Sequence, residues 1–141
     1  MKADIKFPHV KGVTVAIGCH KENGSEEWKA YLINDNDFTI YNVLVASKGY
    51  GELKGERKET SVLRQHFDAI APGAALIELL DPELFNLCNE FWVSYYSDID
   101  RKVLHDKKFV FMPGSVADNN LSYIPQIKMD GVLHGGGGGV K

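Results

Sequence analysis

Apolar and polar positions alternate with a period of two through most of this chain, broken at short intervals by polar or glycine-rich clusters. Successive side chains of a strand point to opposite faces, so this grammar predicts antiparallel β-structure. The stretch from Trp28 to Ala46 (WKAYLINDNDFTIYNVLVA) is the plainest case: two β-rich runs flank the polar knot Asn34-Asp35-Asn36-Asp37, the pattern of a hairpin. Its first strand would point Trp28, Ala30 and Leu32 one way and Lys29, Tyr31 and Ile33 the other. Its second would set Phe38, Ile40, Asn42 and Leu44 against Thr39, Tyr41, Val43 and Val45. Both faces are largely apolar, so these strands expect cover on both sides, from an opposing sheet and from a loop or a partner chain.

The same reading runs along the chain. Residues 1–10 form a short extended lead-in. GVTVAIGC (Gly12 to Cys19) is a compact β-branched core strand, and Asn23-Gly24 is a turn dipeptide. Ser47 to Lys58 (SKGYGELKGERK) reads as a long glycine-rich loop. Glu59 to Ile70 fits helix or strand spacing, and strand is preferred for its neighbours. Ala74 to Leu80 is a short strand. Asp81-Pro82-Glu83 marks a helix start of one or two turns, with a capping aspartate and proline at the first helical position. Phe91 to Tyr96 (FWVSYY) is the most aromatic strand. Val103 to Met112 is one strand or a hairpin broken at Asp106-Lys107. Ser115 to Tyr123 is irregular with room for a helical turn, and Ile124 to Leu133 supplies a final edge strand. The glycine run 135–139 opens a flexible tail, leaving 1–134 as one β-rich domain. The sum is seven to nine short strands and one or two helical turns. An antiparallel β-sandwich lets each sheet bury one face, and a partly open barrel is the alternative.

Composition narrows the function more than it names it. With 141 residues, 44% hydrophobic and 25% charged, the chain is long enough for a real core; domains of this size bury roughly 68–70% of their unfolded surface. The net charge is −3, and the arginines are Arg57, Arg64 and Arg101. The most basic stretch, Lys48 to Lys58, also carries Glu52 and Glu56, which argues against a phosphate-tracking surface for nucleic acid. Two cysteines, Cys19 and Cys88, sit in apolar sequence and read as buried thiols rather than a disulfide framework. The start MKADIKFPHVKG lacks the apolar core of a secretory signal, and no apolar run reaches membrane-helix length, so the expected compartment is the cytoplasm, with no membrane partner.

Candidate chemistry is sparse. Lys48-Gly49-Tyr50-Gly51 has neither the spacing nor the following helix of a phosphate loop. His134 and the glycines after it lack the nucleophile elbow that an oxyanion loop of that kind serves. The Asn34–Asp37 knot and the pair Asp98/Asp100 lack the glycine and distal glutamate of a calcium loop, so turn chemistry explains them. The five histidines show no metal spacing, so no metal or cofactor is expected. Arg64 and His66 share a strand face and form the best polar pair. The aromatics occupy both strand faces, so some must lie outside a single core, which points to an interface. The residues nominated for a ligand or partner are therefore Lys48, Tyr50, Arg64, His66, Trp92 and Tyr95, and none is assigned a catalytic role.

The phrases YLINDNDFTIYNVLVASKGYG, DPELFNL, NEFWVSYY and KKFVFMPGSV resemble a family of small, uncharacterised bacterial proteins over about Lys11 to Gly135. That family commonly carries the label phenylalanyl-tRNA synthetase alpha subunit. A synthetase core needs an ATP-binding motif arginine and a glycine-rich strand ending in arginine; here the glycine run ends in Val140-Lys141. The resemblance therefore implies an accessory module of translation or RNA metabolism, with no catalytic residue carried over. The YLIND pattern and HFDAIAPGAALIE also resemble the β-rich domain that precedes Smr nuclease domains, over roughly Ala30 to Ile77, which implies an interaction role. The first expectation is a non-enzymatic module that binds another protein or itself. The alternatives are a small-ligand binder or an enzyme with a dispersed site near Arg64 and His66, and the accessory translation module.

Overall fold

In the computed structural model, residues 12–97 and 101–134 are described. The lead-in 1–10, the aspartates Asp98 and Asp100, and the glycine-rich tail 135–141 lie outside the described residues. The strands, in chain order, are β1 (Val13–Glu22), β2 (Ser25–Asn34), β3 (Ile40–Leu53), β4 (Glu56–Glu59), β5 (Leu63–Ile70), β6 (Gly73–Leu80), β7 (Cys88–Ser97), β8 (Leu104–Phe111), β9 (Ser122–Ile124) and β10 (Met129–Leu133). Short 3-10 helices occupy Pro82–Asn86 and Asp118–Asn120. The first sheet runs β6-β2-β1-β10-β9. The second runs β4-β3-β7-β8, with β5 also on β3, and every pairing is antiparallel. Neither sheet closes into a barrel; the two form a sandwich.

The core lies between the sheets. Val13, Val15, Ile17, Trp28, Ala30 and Leu32 from the first sheet meet Val43, Val45, Phe91, Val93, Phe109 and Phe111 from the second. The 3-10 turn at Pro82–Asn86 closes one end. Asp81 caps it by accepting from the Glu83 amide at 2.9 Å, and Phe85 stands edge-on to Trp28 at 5.0 Å. The expected second cover exists for the first sheet and is a loop. Ile124 and Ile127 pack over Ala16 and Ile33, with Tyr31 and Met129 alongside. That cover explains why β1 is buried on both faces from Val13 to Cys19. His134 continues β10: its amide donates to the Val15 carbonyl at 3.0 Å, and its ring stands edge-on to Phe109 and Phe111.

The described residues carry ten strands where the sequence pattern predicts seven to nine, and three other expectations are corrected. First, β2 and β3 do not form a hairpin. They belong to different sheets, and the Asn34–Asp37 knot carries the chain from one to the other. Asn34, 1% exposed, holds that crossing. Its Nδ2 donates to the Phe38 carbonyl at 2.9 Å and the Ile70 carbonyl at 3.0 Å, while its Oδ1 accepts from the Asn36 amide at 3.1 Å. The true hairpin is β1–β2, turned at Asn23-Gly24 with φ of 51° and 81°; two left-handed residues are what a tight β-turn of that hand requires. Second, β3 does not alternate evenly. Asn42 takes φ of 49°, and the register against β7 slips between Tyr41 and Leu44. This bulge resets the parity, so Ile40, Val43 and Val45 all point inward and Leu44 points out. Third, Ser47 to Lys58 is not a loop. β3 continues to Leu53, and Lys54-Gly55 turns it into β4.

β5 and β6 cross between the sheets in the same way. Two side-chain contacts fasten the sheets near this side. Gln65 Nε2 donates to the Ile77 carbonyl at 2.9 Å, and the Ser47 hydroxyl donates to Glu78 Oε1 at 2.5 Å. Burial pushes the Glu78 carboxyl up, and the Ser47 bond opposes that shift.

Candidate functional site

Strand pairing fixes the outward face of the second sheet. Arg64, Ala46, Trp92 and Lys108 stand side by side across β5, β3, β7 and β8. One step along the strands, His66, Leu44, Ser94 and Asp106 form the next row. Lys48 and Glu90 lie beyond the first row, and Tyr41, Tyr96 and Leu104 beyond the second. Leu44 is 43% exposed and Trp92 48%. Unlike the first sheet's outer face, these rows have no apolar loop packed onto them among the described residues.

Five of the six nominated residues converge here. Lys48 lies 3.6 Å from Glu59 and 5.9 Å from the Tyr50 ring. The Tyr50 hydroxyl donates to Glu90 Oε2 at 2.6 Å. That bond is the main cause holding the Tyr50 phenol protonated well above its ordinary range, with Cys88 and desolvation adding to it. Lys108 reaches the same Glu90 carboxylate at 3.8 Å and places its ammonium 5.0 Å from the Trp92 ring. Arg64 is exposed beside Ala46, and His66 Nδ1 lies 3.7 Å from Asp68. Tyr95 is elsewhere. β7 turns Phe91, Val93 and Tyr95 inward, so Tyr95 is 2% exposed and stacks on His105 at 4.9 Å. The outward tyrosine of this strand is Tyr96.

The sequence reading misses Leu44, Ser94, Tyr96, Asp106 and Lys108. A signal for part of this set lies in β7, where Ser94 interrupts an otherwise apolar run and marks Trp92, Ser94 and Tyr96 as the wetter side. Leu44 has no such signal, because the bulge at Asn42 reverses its side.

A dispersed catalytic site near Arg64 and His66 would need a concave wall around them. The two face outward on a strand. One groove is lined by Leu53, Lys54, Lys58, Thr60, Glu83 and Leu84, another by Tyr41, Asn42, Asp68, Tyr96, Arg101 and Lys102; neither includes Arg64 or His66. Cys19 and Cys88 are buried free thiols in different sheets, and burial pushes the Cys19 thiol up, away from the nucleophilic thiolate. Among the described residues no cluster of His, Cys, Asp or Glu could hold a metal ion, and no helix is long and apolar enough to cross a membrane. No protein-family model matches the chain, and no curated protein matches it.

Proposed function

We propose that the protein is a non-enzymatic interaction module whose contact surface is the outward face of the second sheet. The observation that carries this reading is the concentration of Trp92, Leu44, Tyr96 and Leu104 on one sheet face, bordered by charge. Protein contact surfaces have this make-up, with aromatic anchors inside a polar rim. The charge is of mixed sign. Lys48, Arg64 and Lys108 alternate with Glu59, Glu90 and Asp106, which suits a protein partner and is a poor match to a phosphate backbone.

The test is site-specific photo-crosslinking in cells. A benzophenone amino acid replaces Tyr96, an aromatic of similar shape on the outward face, and in a second version replaces Glu27 on the outer side of β2. The expected result is a discrete adduct from position 96 and background from position 27. Equal or absent adducts at both positions would refute the reading.

A further inference from the structure

We infer that the occupant of this face is a second copy of the same chain, packed sheet on sheet about a two-fold axis that lies in the interface and runs across the strands. The inference rests on reading this face as a contact surface and identifies the partner. It comes from the two central rows. The first carries Arg64, Ala46, Trp92 and Lys108, and the second carries His66, Leu44, Ser94 and Asp106. Every large apolar residue has a small neighbour at the same strand position in the other row. Trp92 is matched by Ser94, and Leu44 by Ala46. The cation Lys108 is likewise matched by Asp106, and Arg64 by His66, whose imidazole lies 3.7 Å from the Asp68 carboxylate.

A two-fold axis across the strands, midway between the rows, lays the first row of one copy on the second row of the other, each strand over its own counterpart. Trp92 then covers Ser94 of the second copy, and Leu44 covers Ala46. Lys108 meets Asp106, and Arg64 meets the His66–Asp68 pair. One step outward Val110 falls over Leu104. In the two central rows bulk meets hollow and charge meets countercharge, at the face-to-face spacing of about 10 Å that packed sheets adopt, and at the border Lys48 and Glu90 fall over Tyr41 and Tyr96. A two-fold along the strands sets each row on itself, so that Arg64 opposes Lys108, a like-charge arrangement that interfaces exclude. An isologous interface must be complementary to itself, and this face meets that demand in one orientation. Lys108 is available for the exchange. Its pairing with Glu90 at 3.8 Å is partly exposed and so contributes little, and Glu90 keeps the Tyr50 hydroxyl.

The experiment is solution mass by light scattering over a concentration series. The samples are the natural chain, Lys108→Glu, Asp106→Lys, an equimolar mixture of these two variants, and the double variant. Both residues are exposed, and circular dichroism checks that each variant is folded. The expected result is a dimer for the natural chain. Each single substitution should weaken dimerisation by at least about tenfold, because symmetry creates its like-charge contact twice. The mixture should recover a dimer, since the glutamate introduced at position 108 of one chain then faces the lysine introduced at position 106 of the other. The double variant should recover as well. A natural chain that stays monomeric to submillimolar concentration overturns the inference, as do single variants that still dimerise or a mixture that does not recover. The position-96 crosslink separates the two failures. An adduct with a different protein means that the face binds, but not to itself. A dimer that survives both single substitutions, with no adduct from position 96, means that the face is not the contact surface at all.

Discussion

Replacing Asn34 tests whether one buried amide joins the two sheets. Its Nδ2 serves two backbone carbonyls, Phe38 at 2.9 Å and Ile70 at 3.0 Å, and its Oδ1 receives the Asn36 amide at 3.1 Å. At 1% exposure, water cannot replace these bonds without opening the crossing. Asn34→Ala removes these three and the bond from Asn36 Nδ2 to the same Oδ1 at 3.0 Å, whose half-buried donor can turn to water. Each lost bond costs about 1 kcal/mol net, and the stranded Ile70 carbonyl adds a desolvation cost, for a total of about 3–4 kcal/mol. That is a large share of the roughly 5–15 kcal/mol by which domains are stable. With a urea slope of about 2 kcal/mol per molar, the unfolding midpoint should fall by about 1.5–2 M with the slope unchanged. Asn34→Asp is the sharper probe. It is nearly isosteric, yet at neutral pH it sets a carboxylate against two carbonyls and donates to neither. Its loss should equal or exceed that of alanine. Its folded-state carboxyl should titrate above the ordinary aspartate range, so its stability should rise as pH falls through that window and the protonated acid can donate to one carbonyl. Urea unfolding followed by tryptophan fluorescence, to which buried Trp28 and exposed Trp92 both contribute, reads all three proteins. An aspartate variant within about 1 kcal/mol of the natural chain at neutral pH would refute the argument, because the donor pair would then not hold the crossing.

Further outcomes follow from other contacts. Burial raises the Glu78 carboxyl, so the folded state binds its proton more tightly than the unfolded chain does. Stability should therefore fall as pH rises from the ordinary glutamate pKa through the raised value and level off above it. Glu78→Gln should remove that slope, as seen in urea midpoints collected from about pH 4 to about pH 8. Tyr95→Ala should cost about 3 kcal/mol of stability because its ring lies in the core, whereas Trp92→Ala should cost the monomer less than about 1 kcal/mol; equal costs would mean that the β7 parity is wrong. Gly131→Ala should destabilise by about 1–3 kcal/mol in thermal unfolding, since its Cβ would come 2.5 Å from the Ile17 carbonyl oxygen, a backbone atom of β1 that cannot swing aside.

The strands are legible in the sequence because burial and alternation are local properties. Val13 to Cys19, Phe91 to Tyr96 and the capped turn at Asp81 each declare themselves within a few residues. Pairing is not local. Trp28–Ala46 has the composition of a hairpin, yet Asn34 satisfies its amide with carbonyls from Phe38 and Ile70, and only the folded chain brings Ile70 there. The bulge at Asn42 is equally hidden, because a single left-handed residue reverses the side of everything after it without changing the hydrophobic pattern. The same blindness decides the candidate site. Lys48, Tyr50, Arg64, His66 and Trp92 are nominated for separate reasons, and register is what gathers them on one face. Tyr95 goes to the core by that register as well.

The pairing of β1 with β10 has a consequence for the order in which the molecule can assemble. Ala16 lies opposite Leu133 and Cys19 opposite Asp130, so one edge of the first described strand to leave a ribosome is completed by the last. The β1–β2 hairpin can form within its own ten-residue arms, but its other edge stays open until the chain has run on from Asn34 to Met129. Closure over such separations is slow, and an apolar strand with an open edge is the usual site of non-native pairing in the meantime. The nascent chain is therefore expected to need shielding of Val13 to Cys19 until β10 emerges. Shortening the chain at Gly131 should leave that edge incomplete and increase aggregation relative to the full chain, even though most of the core cluster would still be present.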